Sequence, residues 1–308
     1  MAANQPEWLP VGHRKNGIAC FFAVNPANPA WGGQLSGRRS IVGNDMLGNN
    51  GIDKSVAHPA RVWDYLLGGK DNFTADREAA EALISATPAA IQVARADRLF
   101  LASVVHHLTA GAGIRQFLDI GTGLPTADNT HEVAQRAAPD SRVVYVDNDP
   151  VVLLHARTLL ASDPRGATAY IDADLRNPDA ILSQAADTLD FTQPVAVMLL
   201  GILLYLDDSE GPYGIVRQLM DAVSPGSYLA VSHGASDLDP GVAEGAREFN
   251  ERSVTPMTLR TKAEFARFFD GLELQGPGVV TLDAWNFAGE QASGNGVLPA
   301  YCGLGRKN

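Results

Sequence analysis

Residues 116–149 constrain the fold of this chain more than any other stretch. The apolar run Phe117, Leu118 and Ile120 passes through Asp119 and ends in Gly121-Thr122-Gly123. A helix is predicted from about Asp128 to Ala138, and a second apolar run, Val143 to Val146, ends in Asp147. Strand, glycine turn, helix, strand and acid in this order make half of a doubly wound sheet. A bend from strand into helix needs backbone freedom, and a ligand comes close only where no Cβ intrudes. A carboxylate after the second strand can accept both hydroxyl hydrogens of a ribose.

Two glycines two positions apart are weak evidence by themselves, because an ordinary tight turn has them too. The surrounding residues say more. Asp119 stands two residues before Gly121, where dinucleotide-binding folds usually keep the strand apolar, and Thr126 occupies the place of a third glycine. A third strand-like run, Thr168 to Ile171, ends in Asp172-Ala173-Asp174. The strand-end acids at 119, 147 and 174 are thus 28 and 27 residues apart, which suits one strand–helix repeat of a parallel sheet. Three such acids fit a ligand with a cationic or hydroxyl-rich middle and an adenine amino group. They would repel a pyrophosphate.

These residues resemble the class I S-adenosylmethionine-dependent methyltransferases. The match is closer to one bacterial branch, the S-adenosyl methyltransferase family, formerly a domain of unknown function. Its hallmarks stand here as Arg61-Val62-Trp63-Asp64-Tyr65-Leu66-Leu67-Gly68-Gly69-Lys70-Asp71-Asn72-Phe73, as Phe117 to Thr126, and as Val144 to Pro150. Ile171 to Arg176 and Phe268 to Leu272 also match. The resemblance covers about residue 55 onward. It implies a Rossmann-like α/β fold with a seven-stranded, mostly parallel sheet, helices on both faces and an N-terminal helical lid. It also implies S-adenosyl-L-methionine as cofactor. Asp119 and the Gly121–Thr122–Gly123 backbone would then face its methionine part, and Asp147 its ribose. Asp174 would meet the adenine amino group, with Asn148 and Leu175 beside the ring.

Composition limits the partners. The chain has 308 residues, 45% apolar and 19% charged, with a net charge of −11, so a polyanion such as nucleic acid is not an expected partner. No apolar run reaches the roughly 20 residues of a membrane span. Cys20 and Cys302 lie far apart without metal-ligand spacing, and a reduced, cytoplasmic protein without a metal site is the simplest reading. The oligomeric state stays open, a homodimer being one option.

Residues 1–54 are rich in Gly, Asn and Pro and read as a disordered arm. The methyltransferase domain is expected over 55–308, with a helical lid at 55–113 and the α/β core at 114–308. In the lid, Val62, Tyr65 and Leu66 share a helical face and Gly68-Gly69 stops the helix. A plain structural cap is one reading. The other is a cofactor-covering lid in which Tyr65 offers a ring, Gly69 close backbone approach and Asn72 an amide. Ala89 to Ala110 reads as a long helix with Ile91, Ala94, Leu99, Ala102, Val105 and Leu108 on its apolar side. Two catalytic candidates follow at later strand ends. Tyr205 could orient an acceptor or merely pack; His233 could be a general base, or hold a structural hydrogen bond. Residues 289–296 read as a flexible loop.

The expected activity is methyl transfer to a small-molecule acceptor. A non-catalytic cofactor-binding sensor or partner module is the alternative. An NAD(P)-dependent oxidoreductase fits less well, given the absent third glycine and the extra acids.

Overall fold

The computed structural model describes residues 52–159, 163–252, 255–286 and 297–308. The expected arm lies outside these residues except for its last three, and the expected 289–296 loop lies outside them entirely. Those last three residues pack: the carbonyl of Asp53 accepts from Arg61, and Ile52 is half-buried against Val151 and Val152.

The chain begins with three helices, α1 (Pro59–Leu66), α2 (Thr74–Ala86) and α3 (Ala90–His106). Pro59 suits the first turn of α1, where its missing N–H has no intrahelical partner to lose. Gly68, at φ 81°, ends that helix. Strand and helix then alternate through β1 (Gln116–Ile120), α4 (Thr130–Ala137), β2 (Arg142–Asp147), α5 (Pro150–Leu159), β3 (Ala167–Asp172) and α6 (Pro178–Ala185). The alternation goes on through β4 (Ala196–Leu200), α7 (Pro212–Ala222), β5 (Tyr228–Gly234), α8 (Pro240–Arg252) and α9 (Lys262–Ala266). Three strands remain: β6 (Glu273–Leu274), β7 (Val280–Thr281) and β8 (Ala300–Arg306).

The sheet order is β3-β2-β1-β4-β5-β8-β6, with β7 also paired to β8. The first five strands are parallel, and β8 runs antiparallel to β5, from Tyr228↔Arg306 to Gly234↔Ala300. The seven sheet positions are therefore those expected, the last being split into two short pieces, β6 and β7. This is the class I methyltransferase arrangement with N-terminal helices. The strand order reverses between β1 and β4, which opens a crevice at their C-terminal ends.

Residue alternation along the strands assigns the two faces. Leu118, Ile120, Val144 and Val146 pack with Ile181 of α6 and Leu219 of α7. On the other face Phe117, Val143, Tyr145 and Met198 pack with Phe100, Leu101 and Val104 of α3 and Val133 of α4. So α3 is a layer of the core, while α1 and α2 pack with Leu204, Tyr205 and Phe249 as a separate cap. The buried face of α3 runs through Ala90, Ala94, Asp97, Leu101 and Val104. Leu99, read from the sequence as apolar-side, is 54% exposed, because the buried stripe is rotated to include an acid. Among the described residues no helix is long and apolar enough to cross a membrane.

Candidate functional site

A cavity of about 380 Å³ opens at the C-terminal ends of β1 to β4. Asp119, Gly121, Thr122, Gly123, Asp147, Asn148, Asp174 and Leu175 all line it. The strand ends bring these residues together although they span more than fifty positions.

The turn after β1 is held through its main-chain amides. The amide of Gly121 donates to the carbonyl of Val146 (2.8 Å), and that of Gly123 to Oδ2 of Asp147 (2.8 Å). Gly121 has φ 74°, and a Cβ there would lie 2.6 Å from Cγ1 of Ile202. A side chain at that position would therefore meet both backbone strain and a clash. The following helix starts at Thr130 rather than at the expected Asp128, because Asp128 takes a left-handed φ of 57°.

The acids differ in setting. Asp119 is buried and accepts from Oγ1 of Thr130 at 2.6 Å. Burial pushes its pKa up to about 6, against the pull of Thr130 and Arg98. Asp147 is buried, and its pKa is raised, again chiefly by burial. Oδ1 accepts from the amide of Asp149 at 3.0 Å and Oδ2 from Gly123; each oxygen keeps a further lone pair for a ligand. Asp174 is half-exposed, accepting from Nδ2 of Asn148 at 3.0 Å and from the amide of Arg176 at 2.8 Å. Leu175 is buried beside it.

The cap covers the cavity with residues other than those expected. Trp63, Asp64 and Leu67 line it; Tyr65, Gly69 and Asn72 do not. The hydroxyl of Tyr65 donates to Glu81 at 3.0 Å. Nδ2 of Asn72 donates to Oδ2 of Asp64 at 2.8 Å, and the amide of Asp71 donates to the same oxygen at 2.9 Å. Gly69 lies so close to Asp64 that a Cβ would overlap the carboxylate. Much of the Trp63–Phe73 motif thus builds a turn around Asp64. Charge fastens the cap to the loop after β2: Nδ1 of His58 lies 2.8 Å, and Nε of Arg61 3.2 Å, from Oδ2 of Asp149.

Only one of the two catalytic candidates lines this cavity, although both line a smaller one beside it. Tyr205 lines the cavity, is 7% exposed and accepts from Nε1 of Trp63 at 3.3 Å. Burial pushes its pKa up to about 12, so it stays a neutral hydroxyl near neutral pH. His233 lies outside this cavity. Its Nδ1 is 2.8 Å from the carbonyl of Gly234 and its Nε2 2.8 Å from Nη1 of Arg260. A guanidinium only donates, so Nε2 accepts and Nδ1 carries the proton. Burial holds the pKa down at about 4. Both nitrogens are engaged, and the arrangement matches the structural alternative weighed for His233 rather than a general base.

Among the lining residues missed by sequence reasoning, two are charged and come from α3: Asp97 and Arg98. Nη2 of Arg98 donates to the carbonyl of Asp128 at 3.0 Å, while its buried Nε has no hydrogen-bond partner among the described residues. The available signal was an acid at the position of the α3 stripe three residues after Ala94.

A second cavity, of about 90 Å³, lies beside the first. Trp63, Asp97, Gly201 and Tyr205 line both.

Comparison with known proteins finds relatives of the same fold. A protein of the DUF574 family from Streptomyces avermitilis MA-4680 is 46% identical, with a TM-score of 0.79 over 83% of this chain and 99% of that one. A protein from Thermobifida fusca YX, described as a candidate methyltransferase, is 41% identical, with a TM-score of 0.78 over 85% and 99%. No curated protein matches. The family model described as S-adenosyl methyltransferase matches residues 46–308, beginning within the expected arm. The chain belongs to the S-adenosyl methyltransferase family.

Proposed function

We propose that the larger cavity binds S-adenosylmethionine and that the protein transfers its methyl group to a small molecule in the cytoplasm. The observation that carries this reading is the convergence of Asp119, the Gly121–Gly123 turn, Asp147 and Asp174 on one cavity of about 380 Å³, a volume within the usual range for ligand sites. The residues fit the group chemically. Asp147 has free lone pairs for ribose hydroxyls. Asp119 and the carbonyls of the glycine turn can accept from a methionine ammonium, and the Arg98 guanidinium can meet its carboxylate. Asn148, Asp174 and Leu175 form the adenine end.

When bound, this cofactor supplies a methyl group already activated on a sulfonium, so the protein mainly aligns an acceptor and excludes water. Trp63 and Tyr205 line both cavities, and there an aromatic ring and a neutral hydroxyl can hold an acceptor without competing as nucleophiles. The cap formed by α1 and α2 acts as a lid, with Trp63 and Leu67 as its covering residues.

Calorimetric titration with S-adenosylhomocysteine and with NADH tests the binding reading. Binding of the first and not the second is expected, and the reverse would overturn it. Release of S-adenosylhomocysteine with a panel of acceptors separates an enzyme from a sensor. Hydrogen exchange over 61–75 should slow when S-adenosylhomocysteine binds; unchanged exchange there, with protection at 119–123, would make the cap a fixed structure.

A further inference from the structure

The smaller cavity has almost wholly apolar walls, with Val62, Leu83, Val93, Ala246 and Phe249 among them. One charged group stands where it meets the larger cavity. Asp97 is 9% exposed, and its Oδ1 has no hydrogen-bond partner among the described residues. Ser232 is the polar neighbour of the carboxylate. Burying an acid oxygen without a partner is unfavourable, and packing does not call for it here. The α3 residues that face the same way, Ala90, Ala94 and Leu101, are apolar. An acid at this position fits a ligand group better than it fits the fold.

We propose that the smaller cavity is the acceptor pocket, that it takes the alkyl or single-ring end of a compact molecule, and that Asp97 receives that molecule's one O–H or N–H. This rests on the larger cavity being the cofactor site. Size sets the upper limit. A dry apolar cavity of about 150 Å³ holds benzene, so about 90 Å³ admits a branched alkyl group or the edge of one ring, not a fused ring system. Charge sets the head group. No lysine or arginine lines the smaller cavity among the described residues, so an acceptor carboxylate would face Asp97 without a cation.

The step balances with the groups named. The lone pair on the acceptor's oxygen or nitrogen forms a bond to the methyl carbon. The carbon–sulfur bond breaks and its electron pair stays on sulfur. The acceptor's proton passes to Oδ1 of Asp97 and then to solvent. Burial pushes the pKa of Asp97 up to about 6, which suits proton acceptance near neutrality.

The test uses the full chain saturated with S-adenosylhomocysteine and ligand-observed NMR. Four probes are compared: isoamyl alcohol, isoamylamine, isovalerate and naphthol. The alcohol, the amine or both should bind, and which of them does assigns the head group. Isovalerate, with the same tail and a carboxylate, and naphthol, with two rings, should not bind. Asp97→Ala should weaken the bound probe by about tenfold, the scale of a charge-assisted hydrogen bond. Ala246→Phe fills the smaller cavity and does not reach the larger one, whose lining lacks Ala246; it should abolish probe binding and leave S-adenosylhomocysteine affinity unchanged, and Ala90→Leu serves if that variant does not fold. The proposal is overturned if neither alcohol nor amine binds, if isovalerate binds equally, or if the filled pocket still binds the probe. Should S-adenosylhomocysteine itself fail to bind the wild type, the cofactor reading falls first and this one with it. Cofactor binding without probe binding overturns the acceptor pocket alone.

Discussion

The two sides of the larger cavity are held in different ways. On the sheet side, main-chain amides do the holding: Gly121 and Thr122 donate to Val146, Ala173 donates to the carbonyl of Asp147, and Gly123 and Asp149 donate to its carboxylate. On the cap side, side chains do it. His58 and Arg61 meet Asp149, Arg61 also approaches Asp76 at 3.6 Å, and Trp63 meets Tyr205. The bonds to the carbonyls of Val146 and Asp147 come with the sheet and persist as long as it does. Ion pairs depend on two ionised partners and fail one at a time. The sheet side is therefore the preformed half of the site, and on the proposed lid reading the cap is the half that opens.

The strongest way to break this contrast is to remove the ion-pair centre of the cap. Arg61→Ala leaves Asp149 and Asp76, both buried, short of a cation, at a cost on the order of 3–5 kcal/mol. Denaturant melting should record that loss. Exchange should quicken over 58–73 and stay constant over 119–123; equal quickening would make the two sides one cooperative unit. On the sheet side, Gly121→Ala forces a left-handed φ on an L-residue and drives a methyl into Ile202. The two effects together cost about 2–5 kcal/mol. Calorimetry should show S-adenosylhomocysteine binding lost while exchange over 58–73 is unaltered.

A smaller effect reads the electrostatics of the sheet side. The folded pKa of Asp119 is about 6, against 3.8 for the free group. Below pH 3.8 both folded and unfolded chains hold the proton and there is no penalty. As pH rises from 3.8 to 6 the unfolded chain ionises first, and stability falls with pH over that window. Asp119→Asn should therefore be more stable than wild type at pH 7.5 by roughly 3 kcal/mol at most, with the gain fading toward pH 4, and should bind cofactor more weakly. A gain independent of pH would mean that ionisation of Asp119 is not its origin. The smallest effect expected is at Asp147, the proposed ribose acid. Asp147→Ala removes a charge-assisted contact of about 1.5–3 kcal/mol, so S-adenosylhomocysteine affinity should drop tenfold or more. It also frees the Gly123 and Asp149 amides, so exchange there should quicken with it.

The same contrast explains what the sequence disclosed. The sheet side was legible because main-chain geometry leaves a mark in residue type: glycines where φ is positive, acids where parallel strands end. The cap was legible as helices but not as contacts. Tyr65 and Asn72 carry ligand-like groups, yet three-dimensional packing commits them to Glu81 and Asp64. Asp97 and Arg98 went unread for the opposite reason. Charges in the middle of a helix resemble a solvated face, and only the fold shows that α3 turns this part of its surface inward. His233 was legible as a strand-end residue, but Arg260, which occupies Nε2, comes from 27 positions further along the chain.

The place of β8 in the sheet has a consequence for how the protein is made. It inserts between β5 on one side and β6 and β7 on the other, all synthesised earlier. Until Ala300–Arg306 leaves the ribosome, Tyr228–Gly234 has an open edge of unpaired amides and carbonyls beside apolar side chains. The nascent chain can assemble the parallel strands in order of synthesis but cannot close the sheet until this late segment arrives. Closure then joins residues far apart in sequence, the slow kind of step in folding. A ribosome stalled before residue 300 would hold the five parallel strands as an unfinished sheet with its β5 edge open.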